Sequence, residues 1–305
     1  MSRPAEQLET RTDHYPSRIA ANPELIGRRE PVVHGKPGNG PLDAQQLERY
    51  AQDGYLDLNG VFAHDEMEQH LKELHRLRAD AKVKVSDATI REPGGKQIRS
   101  IFAIHEYDSM IAKLCRDHRI VEVARQILGS EVYIHQSRVN YKPGFRGKEF
   151  YWHSDFETWH VEDGMPGMRA LSCSISLTPN TPYNGPLLVI PGSHRQFLTC
   201  VGETPENHYQ QSLRKQEYGV PDDTSLTRMM EAGGIEAATG GAGMVTFFDC
   251  NIMHGSNSNI TPLSRSNVFI VFNSIENTLQ APFCGLKPRP QFIANRKDFA
   301  AIKPL

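Results

Sequence analysis

The sequence predicts a mainly β protein with flanking helices, built on a double-stranded β-helix core of the jelly-roll, cupin-like kind. Three observations predict it. Beyond Glu131 the chain becomes a series of short β-branched and aromatic runs separated by Pro143-Gly144, Asn184-Gly185 and Pro191-Gly192. His153 and Asp155 stand two residues apart within Phe150 to Asn180, a spacing expected to place both side chains on one face of a strand. A second histidine, in Cys250-Asn-Ile-Met-His254-Gly-Ser, lies in another strand-then-turn setting, and a metal site carried on strand ends suits a jelly roll with helices packed outside.

Taken in order, residues 1–41 are rich in Pro, Arg and Gly without periodicity, and read as an irregular arm draped over the body. Asp43 with Gln46 three residues on starts a first helix by a capping box, with Leu47, Tyr50 and Ala51 on one face and Gly54 as the stop. Tyr55–Leu58 follows as a short strand. A second helix is expected from about His64, with Met67, Leu71, Leu74 and Leu77 at helical spacing. Glu92-Pro-Gly-Gly-Lys96 reads as a turn, because it lacks the spacing of a phosphate loop. A third helix fits Asp108 to Leu128, closed by Gly129. The expected strands are Val132 to Val139, Met168 to Leu177, Pro186 to Ile190, Met244 to Phe248 and Asn267 to Ser274. Between Thr204 and Gly243 lies a polar insert with a helix near Ser225 to Glu231. The expected organisation is thus an arm (1–41) and a single jelly-roll domain (42–305), with a helical N-terminal part (42–130) and the insert (204–243).

Composition narrows the function. The 305 residues carry a formal net charge of −2, with 38% hydrophobic and 23% charged residues, which suits a globular protein with a sizeable core. No basic footprint points to nucleic acid. The five cysteines are scattered and odd in number, with no CxxC pair, which argues against a disulfide framework or a zinc ribbon and for small buried residues in a reducing compartment. No stretch approaches the length of a membrane span and no apolar signal core opens the chain, so a cytoplasmic location without membrane association is expected.

The chemistry is expected at three residues. Two histidines and one carboxylate, here His153, Asp155 and His254, make the facial ligand set of non-haem Fe(II) oxygenases, which leaves coordination positions open. The mixed N/O set favours Fe(II) over a closed thiolate zinc site. Such an oxygenase uses O2 together with a two-electron reductant, and 2-oxoglutarate supplies the electrons. Its distal carboxylate needs a cation, and the guanidinium of Arg265 matches a carboxylate bidentately, with Lys142 as a second positive charge.

The run from Trp152, WHSDFETWHVEDGMPGMRALSCSISLTPNTPYNGPLLVIPGSH, resembles the signature of the ectoine hydroxylases (ectoine dioxygenases), within the phytanoyl-CoA dioxygenase-like branch of 2-oxoglutarate oxygenases. The N-terminal DHYPSRIAANPELIGRREPVVHG and the series Asn251, His254, Gly255, Ser256, Asn259, Pro262, Arg265 and Asn267 resemble the same family, so the likeness covers nearly the whole chain. One departure is His34, where the family pattern has an aromatic residue. The resemblance implies Fe(II), 2-oxoglutarate, hydroxylation of the compatible solute ectoine to 5-hydroxyectoine with release of succinate and CO2, a place in osmotic stress response, and a cytoplasmic homodimer. By position it implies iron ligands at His153, Asp155 and His254, co-substrate contacts at Lys142 and Arg265, and substrate contacts at Gln136, Trp159, Phe272 and Arg289. Ectoine carries a delocalised cation and a carboxylate, so an indole face and a guanidinium are chemically apt partners. Two rival readings are a hydroxylase of the same branch acting on another small polar metabolite, and a jelly-roll binding protein with a vestigial metal site. A halogenase is disfavoured because that chemistry needs the carboxylate ligand absent, and Asp155 is present.

Overall fold

The computed structural model describes residues 12–92, 97–107, 109–213 and 218–305. Thirteen strands are defined among these residues: β1 (Leu25–Gly27), β2 (Tyr55–Leu58), β3 (Thr89–Arg91), β4 (Ile98–Phe102), β5 (Val132–Lys142), β6 (Phe150–His153), β7 (Ala170–Ser176), β8 (Leu187–Val189), β9 (Gln196–Leu198), β10 (Glu236–Ala238), β11 (Val245–Asp249), β12 (His254–Ser256) and β13 (Arg265–Ser274). The helices are α1 (Ala44–Asp53), α2 (His64–Ala79), α3 (Ala81–Val85), α4 (Met110–Leu114), α5 (His118–Leu128), α6 (Asp155–Asp163), α7 (Tyr209–Ser212) and α8 (Asp223–Gly233).

Two antiparallel sheets form the jelly-roll core. The larger runs β2-β11-β7-β13-β5-β4-β3 and the smaller β10-β8-β12-β6. Period-two alternation assigns the two faces of the larger sheet opposite tasks. On one face Leu171, Cys173, Ile175, Phe247, Val268, Ile270 and Phe272 join the main apolar cluster with Leu47, Tyr50, Met67, Leu74, Ile120 and Ile127 of the helices. On the other, Gln136, Arg138, Asn140 and Lys142 of β5 pair in register with Val271, Phe269, Asn267 and Arg265 of β13, and a predominantly polar surface turns toward the smaller sheet. The larger sheet is therefore apolar on its helix-covered face and carries a polar strip on β5 and β13 beside an apolar cluster that includes Leu187, Val189, Phe248 and Phe269 between the sheets.

The helical part follows local chemistry. The Asp43–Gln46 capping box is formed, Gly54 closes α1 at φ +81, and α2 begins at His64. The expected single helix from Asp108 to Leu128 is instead two. Asp117 accepts a hydrogen bond from the Arg119 amide and caps a new helix, because an aspartate at that point satisfies N-terminal donors better than it continues α4. Residue 108 lies outside the described residues, as do Pro93 to Lys96 of the expected turn. The arm is mostly irregular, yet it contributes β1, paired with β9, and the fully buried Tyr15. The insert holds α8 where a helix is expected and also adds β10 to the edge of the smaller sheet. Four cysteines are buried and Cys284 is half-buried, all with free thiols. No described helix is long and apolar enough to cross a membrane.

Candidate metal centre

The centre is assembled from one strand end, one strand start and one helix start. His153 closes β6, His254 opens β12, and the two are register partners in the smaller sheet. Asp155 does not share a strand with His153. Ser154 leaves the strand in extended backbone (φ −103, ψ 130), and Asp155 is the first residue of α6. A strand spacing argument therefore brings the same two residues together as the structure does, but by the wrong route. Ser154 makes no side-chain cap, because its Oγ donates to Asn251 Oδ1 at 3.0 Å, and the helix is closed by Gly164 at φ +74. Placement in a helix's first turn also favours the ionised carboxylate.

The ligand atoms of His153, Asp155 and His254 lie within 4.8 Å of one another, and all three residues are buried. Nε2 of His153 is 3.6 Å from Oδ1 of Asp155, and Nε2 of His254 is 3.8 Å from Oδ2. Each imidazole turns Nδ1 toward the carbonyl two residues before it, Tyr151 O of β6 at 2.8 Å and Ile252 O in the turn before β12 at 3.0 Å. Those contacts hold both rings in the tautomer whose Nε2 lone pair faces inward, as metal-ligating histidines require. Ser172 Oγ donates to Asp155 Oδ2 at 3.4 Å. Burial, with His153 close by, lowers His254 to about 4, so the ring is neutral at pH 7. Burial alone would raise Asp155, but the neighbouring histidines and Arg138 outweigh it and hold the carboxyl well below the usual range. Two imidazole nitrogens and one carboxylate, converging from one side with no thiolate among the three, fit an iron(II) facial triad.

The cavity beside these ligands lies between the sheets. Lys142, Arg138, Asn140, Arg265 and Phe269 line it from the larger sheet, and His153, Leu187, His254 and Ser256 from the smaller. Lys142 and Arg265 are register partners, two buried cations set side by side. Nε and Nη1 of Arg265 have no hydrogen-bond partner among the described residues, although the side chain is buried. Burial pushes Lys142 down to about 6, with Arg265 next in effect, while Nζ donates to Ser256 Oγ at 2.8 Å and to Asn257 O at 2.5 Å. Gly185 (φ +73) makes room for this side chain, since a Cβ there would meet Lys142 Cδ at 2.8 Å. Orphaned guanidinium donors beside an uncompensated lysine fit a small dianion such as 2-oxoglutarate.

The remaining expected site residues fall elsewhere. Phe272 belongs to the apolar cluster under the helices, because strand alternation turns it away from the cavity; Phe269, three residues earlier, lines it. Arg289 donates from Nε and Nη2 to the Asp163 carboxylate at 2.8 and 2.5 Å, so its fork is already engaged at the C-terminal end of α6. Trp159 is 2% exposed and packs edge-on against His135 at 5.2 Å, one turn below Asp155 and not among the cavity-lining residues. Gln136 Nε2 donates to Ile293 O at 2.7 Å, and its carbonyl accepts from Arg138. Sequence reasoning missed Phe269 and Arg138. Counting by twos along β13 and β5 from Arg265 and Lys142 would have found both. Leu213 of the insert also lines the cavity, which brings the insert against the site; residues 214–217 lie outside the described residues.

Comparison with known proteins was made against this geometry. The profile of the phytanoyl-CoA dioxygenase family matches residues 50–267. The ectoine dioxygenase of Bordetella bronchiseptica is 56% identical over 294 residues, covering 96% of either chain. That of Stutzerimonas stutzeri is 55% identical over 294 residues, again 96% of each. Among solved structures, EctD from S. alaskensis with 2-oxoglutarate and 5-hydroxyectoine superposes with a TM-score of 0.88 at 50% identity, covering 96% of this chain and 98% of that one.

Proposed function

The chain belongs to the phytanoyl-CoA dioxygenase family, among its ectoine dioxygenases, and on that premise we propose how its own residues carry out the reaction. The protein is a non-haem Fe(II)- and 2-oxoglutarate-dependent dioxygenase that converts ectoine to 5-hydroxyectoine, releasing succinate and CO2. Its iron, with 2-oxoglutarate and O2, supplies the oxidising power for hydroxylation of an unactivated ring carbon.

The observation that carries the site assignment is the convergence of His153, Asp155 and His254 beside the unpartnered fork of Arg265. In our reading the triad holds iron, and Arg265 receives the distal carboxylate of 2-oxoglutarate bidentately. Lys142, held down to about 6 in the empty site by burial and by Arg265, takes up a proton when the dianion arrives and compensates its remaining charge. Ectoine then lies toward Arg138 and Phe269. The Arg138 guanidinium carbon sits 5.1 Å from the Phe269 ring centroid, within cation–π range, and in our reading the guanidinium meets the ectoine carboxylate. Gln136 holds Arg138 in that pose. Trp159, packed beneath, steadies the helix that carries Asp155, and Phe272 supports β13 from behind. The chain's part in the chemistry is to present one C–H bond in a fixed orientation and to exclude water.

We further propose a single oxygenase domain with the 12–41 segment wrapped onto it, a cytoplasmic homodimer, and a role in osmotic stress response. The family resemblance supports these, and light scattering of the purified protein checks the dimer. The reaction is tested by admitting oxygen to anaerobic protein with Fe(II), 2-oxoglutarate and ectoine, then analysing products by mass spectrometry. Ectoine gaining one oxygen atom, with equimolar succinate, is expected. Succinate with unmodified ectoine would discard the substrate.

A further inference from the structure

All nine residues of α6 are buried, although Asp155, Glu157, Glu162 and Asp163 are acidic. Buried carboxylates must be paired, and each of these has a specific partner. Arg289 takes Asp163. Glu157 and Glu162 are both taken by a residue from the far end of the chain. Arg18 Nη2 lies 2.6 Å from Glu157 Oε2 and its Nη1 2.7 Å from Glu162 Oε1, with its Nε 2.9 Å from Glu157 Oε1. One guanidinium thus bridges two turns of the helix, a task for a planar fork and not for an ammonium.

The arm is seated to deliver it. Ser17 Oγ donates to Glu157 at 2.7 Å, the Arg18 amide donates to Cys200 O at 2.8 Å, and Tyr15 stands edge-on to Phe156 at 5.3 Å. His208 Nδ1 meets Glu162 Oε1 at 2.9 Å from the insert side. Arg18 itself adopts φ +58, a left-handed conformation costly for a residue with a Cβ, and such strain persists only where the surroundings over-determine it. Arg18 is not among the described residues that line the cavity. Its connection to chemistry runs through the helix whose first residue is Asp155, two residues before Glu157.

We propose that Arg18 is a positioning residue for the metal centre: by bridging Glu157 and Glu162 it fixes the rotation and height of α6, and so the placement of the Asp155 carboxylate relative to His153 and His254. The proposal rests on the metal-centre reading above. Residues hydrogen-bonded directly to metal ligands typically change metal affinity ~10–100-fold when lost; Arg18 acts one step further out, through Glu157 and the helix, so the lower end of that range is expected.

The test is Co(II) binding to the full-length apoprotein, read by calorimetry and by the visible absorption of the bound ion. The variants are Arg18→Ala, Arg18→Lys and the triple R18M/E157Q/E162Q, which removes all three charges together and guards against misfolding from unpaired carboxylates. With circular dichroism unchanged, Arg18→Ala and the triple variant are expected to bind Co(II) about tenfold more weakly and with an altered absorption band, with Arg18→Lys between them and wild type. Wild-type affinity and spectrum in whichever of the first two folds, accompanied only by a lower melting temperature, would reduce Arg18 to a structural tie and overturn the proposal. If wild type itself binds no Co(II), the metal-centre reading fails, and the proposal with it.

Discussion

Lys142 and Arg265 face each other directly across adjacent strands, both buried, and neither is ion-paired among the described residues. Two charges so placed would repel, and burial raises the cost. Burial, with Arg265 next to it, lowers Lys142 to about 6, so the empty site holds a neutral amine beside the guanidinium, and in our reading an anion from outside the chain completes the pair. Several consequences can be measured.

Co-substrate binding should take up a proton. Free lysine is charged up to about pH 10, whereas Lys142 is lowered to about 6 and is neutral above that in the empty site. A bound dianion restores the charge. Calorimetry of 2-oxoglutarate binding at pH 8 in buffers of differing ionisation enthalpy should report uptake of about one proton, declining as pH falls through about 6. Uptake that does not change with pH would contradict the assignment.

The same shift has a sign for stability. Between pH 6 and 10 the unfolded chain binds a proton at Lys142 that the folded chain lacks, so this group's contribution makes the protein more stable as pH rises through that window. Lys142→Met removes that penalty and should raise the melting temperature of the co-substrate-free protein at pH 7, while weakening 2-oxoglutarate binding by roughly 10–100-fold, the loss of one charge-assisted contact. A lower melting temperature would show that Lys142 is compensated in some other way.

Arg265→Lys keeps a charge but loses the fork, so it should raise the apparent KM for 2-oxoglutarate by about tenfold or more and leave the KM for ectoine nearly unchanged. Steady-state kinetics with each compound varied in turn decides this. Equal changes in both constants would place Arg265 in a general structural role.

Phe269 and Phe272 offer a test of which sheet face holds the substrate. Phe272→Ala should cost about 3–5 kcal/mol of stability, as for a buried core aromatic, with the KM for ectoine retained by whatever protein folds. Phe269→Ala should raise the KM for ectoine with the smaller loss of stability. The reverse pattern would return the substrate to the helix-packed face.

Much of this was legible in the residues. Capping set the boundaries of α1, apolar spacing placed α2, alternation marked the first part of β5, and β-rich runs between turns marked β7 and β13, because these signals are local. The break before α5 was legible only through Asp117, whose capping outcompetes helix continuation. Asp155 shows the opposite failure: the residue was singled out while its element was mistaken, since a three-residue spacing cannot distinguish a strand from a helix start, and Ser154 makes no side-chain cap that would have marked one. Gln136, Trp159 and Arg289 illustrate a third limit. Their side chains are engaged by Ile293, His135 and Asp163, distant partners that only the folded chain brings near. The Arg18 bridge was illegible for the same reason.

The most direct test of the central claim is anomalous diffraction at the iron edge from anaerobic crystals grown with Fe(II) and 2-oxoglutarate. A single peak bounded by Nε2 of His153, Nε2 of His254 and the Asp155 carboxylate, with the distal carboxylate of 2-oxoglutarate on Arg265, is the predicted result. Iron bound at any other set of residues, or 2-oxoglutarate whose distal carboxylate avoids Arg265, would contradict the account.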